Sequence, residues 1–98
     1  MASESSDTSK EGTLAPMEAA QVAARLLAEL TGKEPQGVTS LAPADEGWEV
    51  EVEVVEDHRV PSSADILSLY EIQIDQEGNL LSWRRTRRYP RGRGDEAQ

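Results

Sequence analysis

Apolar residues recur along this chain with two different periods, and the switch between them lays out the architecture. Between residues 16 and 31 the polar side chains Glu18, Gln21, Arg25 and Glu29 fall three or four positions apart, while Ala19, Ala20, Ala23, Leu26, Leu27 and Leu30 take the opposite side. That spacing predicts an amphipathic helix over 16–31. Pro16 suits the first helical position, where a missing N–H leaves nothing unsatisfied. Glu18 adds an acid to the first turn, Arg25 can pair with Glu29, and Gly32 follows as a stop. The alanines at the start of the apolar side let such a helix lie close to a sheet.

Further on the period drops to two. Trp48, Val50, Val52 and Val54 alternate with Glu49, Glu51 and Glu53, which predicts a strand over 48–56 with one face buried and one in water, the antiparallel pattern. A less regular strand is predicted over 37–44, carrying Val38 and Leu41, with a turn through Pro43, Asp45 and Gly47. Residues 60–65 read as a loop. A third strand is predicted over 66–75, with Ile66, Tyr70, Ile72 and Ile74 on one face, and a fourth over 80–89. One helix followed by four sequential strands predicts an α+β fold: an N-terminal helix packed on a four-stranded antiparallel meander.

The hairpin between the last two strands admits two registers. Asp75, Gln76, Glu77, Gly78 and Asn79 favour a type I turn with a bulge at a left-handed Gly78, which sets Ile74 against Leu80. Hydrophobic matching favours the neighbouring register, with Ile74 against Leu81 and Ile72 against Trp83. A slip of one residue turns every side chain to the other face. On that slip depends whether Arg84 and Arg88, or Arg85 and Arg87, share the helix-covered face.

Composition narrows the possibilities. The chain has 98 residues, 37% of them hydrophobic and none phenylalanine. That is room for one small domain, whose marginal core makes a partner or a second copy a plausible support. Residues 1–13 and 91–98 are poor in apolar side chains and are expected to be disordered tails around a domain at 14–90. With no cysteine and one histidine, a disulfide framework, a zinc ribbon and a thiol nucleophile are excluded. No apolar run approaches a membrane span, and the acidic start, Met1 to Asp7, is unlike a signal peptide. A soluble cytoplasmic protein is expected, with no cofactor or metal.

Charge is distributed unevenly. The net charge is −9, yet the last fifteen residues hold six of the eight arginines. Arg84, Arg85, Arg87 and Arg88, with Trp83 and Tyr89 among them, are the candidate partner-binding residues. Such a run could bind phosphates with aromatic stacking, as on single-stranded nucleic acid. It could instead pair internally, with Glu71 and Asp75 of the third strand as counter-charges, or dock an acidic protein. The strongly acidic remainder of the chain would repel a long polyanion, so nucleic acid is disfavoured. Glu49, Glu51 and Glu53 form a candidate acidic surface. Alternate strand positions stand ~6.7 Å apart, too far to share one calcium ion readily. His58 beside Asp57 lacks the nucleophile and oxyanion pocket that catalysis would need.

The stretch from the helix to the arginines resembles the gas vesicle protein O family (GvpO). The matching words include Leu30-Thr31-Gly32-Lys33, Val38-Thr39-Ser40-Leu41 and Arg59-Val60-Pro61. The most specific are Gly47-Trp48-Glu49-Val50-Glu51-Val52-Glu53-Val54-Val55-Glu56 and the closing Trp83-Arg84-Arg85-Thr86-Arg87-Arg88-Tyr89. The resemblance covers about residues 17–91. It implies a small accessory component of gas vesicle gene clusters, distinct from the main shell protein and vesicle-associated, acting in assembly through contacts with other vesicle proteins. It carries no catalytic residue. The alternative it leaves open is a nucleic-acid-binding regulator of the same cluster that uses the arginine strand. A small-ligand binder with a pocket between helix and sheet is more distant.

The placement of apolar residues leads to a first prediction. Limited proteolysis is expected to leave a resistant fragment near residues 14–90. Protection of the first twelve residues in the same digest would contradict it.

Overall fold

The computed structural model describes residues 13–91. Apart from Thr13 and Arg91, the two expected tails lie outside the described residues. Helix α1 spans Pro16–Thr31, matching the helix expected from periodicity. Ala15 precedes it and offers no side-chain cap. Instead the Glu18 carboxylate accepts the Ala15 N–H at 2.9 Å, and Gly32 closes the other end by donating its N–H to the Ala28 carbonyl at 2.8 Å.

Four strands follow: β1 (Glu34–Pro43), β2 (Gly47–Asp57), β3 (Ile66–Asp75) and β4 (Leu80–Pro90). They form one antiparallel sheet in the order β1-β2-β3-β4, so the α+β meander read from the sequence is the observed fold. β1 begins three residues earlier than its predicted start, because Glu34 and Pro35 pair with Val55 and Val54. Proline is tolerated there because β1 is an edge strand. Bulges at Gln36 and Thr39 break its alternation, which is why its apolar pattern was faint.

The β3–β4 hairpin satisfies both register arguments in succession. Asp75 accepts the Gly78 N–H at 3.1 Å and donates its own to Asn79 at 2.9 Å, and Gly78 takes φ 89°. Turn chemistry thus sets Ile74 opposite Leu80. A bulge at Leu81 then moves the pairing by one, and Ile72 lies opposite Trp83 as hydrophobic matching requires. A second bulge at Thr86 pairs Tyr70 with Arg85 but Leu69 with Arg87. Opposed residues share a face. Arg85 and Arg88 therefore lie on the helix side, and Arg84 and Arg87 on the open side. Neither expected combination occurs, because both assumed unbroken alternation along β4.

The core lies between α1 and the sheet. Ala19, Ala23 and Leu27 are fully buried against Val50, Val52, Val54, Ile72 and Ile74, with Tyr70 at one end. Small alanines let the helix lie close, and Leu27 completes the fully buried row. The helix packs on β1, β2 and β3. β4 lies beyond it and is exposed along its length except at Tyr89, which is half-buried. The open face is not wholly polar. Val55, Leu67 and Leu69 are buried there, in register with Tyr89 and Arg87.

Between β2 and β3 the chain makes a short 3-10 turn at Ser62–Ala64. The buried Asp65 ties this loop to the end of β4. Its carboxylate accepts the Arg59 N–H at 2.8 Å and an Arg91 guanidinium N–H at 3.1 Å, while its carbonyl accepts the Arg91 N–H at 2.7 Å.

Gly47 opens β2 where the β3 backbone passes closest. A Cβ there would stand 2.1 Å from the Ile74 carbonyl oxygen, whereas one at Gly37 would meet nothing within 4 Å. Gly47→Ala is expected to cost at least ~1–3 kcal/mol, and Gly37→Ala less than about 1 kcal/mol. Thermal unfolding of the two variants checks the order.

Candidate functional site

Because β4 is the last strand of the meander, its outer edge pairs with no other strand of the sheet. Its side chains emerge on both faces. On the helix side stand Leu80, Trp83, Arg85 and Arg88, opposite Ile74, Ile72, Tyr70 and Ser68. Trp83 keeps 39% of its surface exposed and rests on Tyr70, with ring centroids 5.9 Å apart and planes inclined at 32°. On the open side stand Arg84, Arg87 and Tyr89, opposite Glu71, Leu69 and Leu67.

The arginines divide by what answers them. On the open side Arg84 donates to the Glu71 carboxylate at 3.0 Å. On the helix side Arg85 lies 3.7 Å from the Glu56 carboxylate. Glu56 is a hub, accepting the Tyr70 hydroxyl at 3.1 Å, with its carbonyl accepting from the Lys33 ammonium at 3.0 Å. Burial pushes the Glu56 carboxyl up. The Ser68 and Tyr70 hydroxyls and the Lys33 and Arg85 charges outweigh it, and the group lies below its ordinary 4.5. The Ser68 hydroxyl is buried and, by strict geometry, completes no hydrogen bond, so its part in this is proximity.

Arg87 and Arg88 make no ion pair among the described residues. Arg87 covers the Tyr89 ring, 5.0 Å from its centroid. The Tyr89 hydroxyl in turn donates to the Glu53 carboxylate. Burial, then this hydrogen bond and the Glu53 charge, push the phenol up to about 12. Two positive charges thus remain at the edge of an otherwise acidic body.

The acidic row lies on the same open face as Arg84 and Arg87. Glu51 accepts the Thr39 hydroxyl at 2.7 Å, and Glu53 is reached by Tyr89. Glu49 and Glu71 are neighbouring carboxylates that hold a shared proton best on Glu49, which raises Glu49 and, together with Arg84, lowers Glu71. Asp75, read from the sequence as a counter-charge for arginine, is instead consumed by the turn. Its carboxylate accepts the Glu77 and Asn79 amides at 2.9 Å each and the Asn79 side chain at 3.1 Å. The counter-charge that sequence reasoning missed is Glu56. It lies about thirty residues from Arg85 in the chain, and only the pairing of β2, β3 and β4 brings the two together.

His58 is exposed, 3.4 Å from Glu34 and 4.0 Å from Asp65, and forms no hydrogen bond to a hydroxyl among the described residues. Open clefts lie at the two ends of the sheet. One is bordered by Pro43, Trp48, Gln73 and Leu81, the other by Lys33, Val55 and His58. Between helix and sheet Ala19, Ala23 and Leu27 and the facing Val50, Val52, Val54, Ile72 and Ile74 are fully buried. Among the described residues no cluster of His, Asp and Glu could hold a metal ion, and no helix is long and apolar enough to cross a membrane.

The model of the family described as gas vesicle synthesis protein GvpO matches residues 2–95. The chain belongs to this family. Among its relatives, gas vesicle protein O of Streptomyces sp. (strain CB03234) is 44% identical over 82 residues, 84% of this chain and 64% of that protein. Gas vesicle protein O of Haloferax mediterranei is 40% identical over 75 residues, 74% of this chain and 54% of the relative. Gas vesicle protein O1 of Halobacterium salinarum is 40% identical over 57 residues, 58% and 48% of the two chains. The chain thus spans between about half and two thirds of the length of the curated relatives it matches. No solved structure matches it. The GvpO family is described by what it helps to make, not by a reaction.

The Glu56 hub has a pH signature. Because its folded-state carboxyl lies below 4.5, the ionised form stabilises the fold above that value, and the contribution fades as pH falls through the folded-state value. Glu56→Gln is expected to lower stability by about 1–2 kcal/mol at neutral pH. The gap from the parent should close in acid. Denaturant unfolding at neutral pH and below pH ~4 measures it.

Proposed function

We propose that this chain is a non-enzymatic accessory factor in gas vesicle formation, and that it works by holding other vesicle proteins through β4. The observation that carries the reading is the pair Arg87 and Arg88. Both are exposed, on opposite faces of an edge strand, and neither has a carboxylate partner among the described residues. An edge with surplus charge is a ready docking element. Trp83 supplies an exposed aromatic anchor beside it. Membership of a gas vesicle synthesis family supports the process.

The same charges could serve solubility alone, since a charged edge also resists aggregation. Replacing Arg87 and Arg88 together with glutamine separates the two. The double variant is expected to stay folded, losing at most about 1 kcal/mol with the Arg87–Tyr89 contact. Vesicle yield in cells that depend on the variant should fall sharply. Normal yield from a folded variant would refute docking through these residues. Single-stranded RNA and DNA are expected not to bind below roughly micromolar at ~150 mM salt. Sub-micromolar binding with a steep salt dependence would instead favour regulation of the gene cluster.

A further inference from the structure

The two edges of the sheet are not equivalent. β1 carries Pro35 and Pro43 and bulges at Gln36 and Thr39, all features that blunt an edge against pairing. β4 runs eleven residues. Its proline, Pro90, is at the far end, and the stretch Ser82–Arg85 between its bulges keeps regular register with β3. A row of backbone donors and acceptors is therefore open along Ser82–Arg85, and Arg87 and Arg88 follow just past the Thr86 bulge.

The charges say what could pair there. A second copy related by a two-fold axis through the arginine stretch would set arginine opposite arginine, and directly opposed like charges destabilise a sheet. The arginine stretch thus disfavours its own kind. A nucleic-acid strand would meet Glu71 beside Arg84, Glu56 beside Arg85 and Glu53 beside Tyr89, so phosphates would be repelled from both faces. An acidic helix could approach one face only. Arg87 and Arg88 are adjacent in sequence and point to opposite faces. An extended strand also sends successive side chains to opposite faces, so neighbouring acids on such a strand would meet both arginines at once.

We propose that the outer edge of β4 receives an acidic, extended segment of a partner protein by strand addition, with carboxylates beside Arg87 and Arg88 and an apolar side chain beside Trp83. The proposal rests on the protein-contact reading above and names the chemistry of the partner. Leu80 and Trp83, 37% and 39% exposed, give that segment an apolar shelf continuous with Ile72 and Ile74. Backbone hydrogen bonds supply affinity, and the arginines choose acidic sequences.

The test is fluorescence anisotropy with the full chain and three labelled heptapeptides: a valine-rich one carrying two adjacent glutamates, which an extended strand sends to opposite faces, its glutamine counterpart, and the acidic peptide with proline at its centre. The first is expected to bind saturably at ~0.15 M salt. The glutamine and proline peptides should each bind roughly tenfold or more weakly, since each lacks either the charge pairs or a ladder hydrogen bond. Arg87→Gln with Arg88→Gln should reduce binding of the acidic peptide by a similar factor. Equal binding of the proline peptide would overturn strand addition, because it needs only the wild-type protein and removes one backbone donor. Preference for oligothymidylate, or concentration-dependent dimers that the acidic peptide fails to dissociate, would overturn the choice of partner. If the arginine variant abolishes vesicles while the proline peptide binds as well as its parent, docking stands and strand addition falls.

Discussion

A single helix cannot cover four strands, and the rest of this structure follows from that mismatch. An α-helix with its side chains is about 10–12 Å across, whereas strands lie about 4.8 Å apart, so the outer strands of this sheet stand some 14 Å from one another. α1 therefore seals β2 and β3, touches β1 at the edge, and leaves β4 exposed except at Tyr89. A strand in that position cannot be apolar without inviting aggregation. The chain gives it arginines instead, and concentrates its limited hydrophobic content in β2, β3 and one side of the helix. The absence of phenylalanine fits a core only one helix deep.

An uncovered strand still has to be held. Part of the hold is the ladder to β3. The remainder is polar and lies at two places. Glu56 gathers Lys33 from the end of α1, Tyr70 from β3 and Arg85 from β4. Asp65 clamps the chain after β4 to the loop before β3. Both are carboxylates held below their ordinary range by what surrounds them. These anchors use Arg85 and Arg91, and Glu71 takes Arg84. Among the described residues, Arg87 and Arg88 are left without a carboxylate partner, so the fold draws on only part of one basic run.

The two bulges in β4 decide which side chains share a face. The first reconciles a turn that wants Ile74 opposite Leu80 with a sheet that wants Ile72 opposite Trp83. The second, at Thr86, shifts the alternation so that Arg84 shares the open face with Arg87, and Arg85 the helix face with Arg88. An unbroken strand would have placed Arg84 and Arg88 together on one face and Arg85 and Arg87 on the other. Arg87 and Arg88, being adjacent, present charge on both faces of the edge in either case.

By itself the sequence determined the elements whose signals are local. A helix at Pro16–Thr31 and strands at β2 and β3 follow from periodicity, because each buries a continuous face against one neighbour. The family was legible in the Gly47–Glu56 and Trp83–Tyr89 words, and the arginine cluster in plain composition. Only the tertiary structure decided the rest. The start of β1 depended on pairing with Val54 and Val55, since its own pattern is broken by two bulges. The faces of the arginines depended on how β3 and β4 share two competing registers. Asp75 was taken by its own turn, while Glu56 was carried to Arg85 across the sheet. These outcomes rest on contacts between residues far apart in the chain, where spacing carries no information and the geometry of the assembled sheet sets each partner.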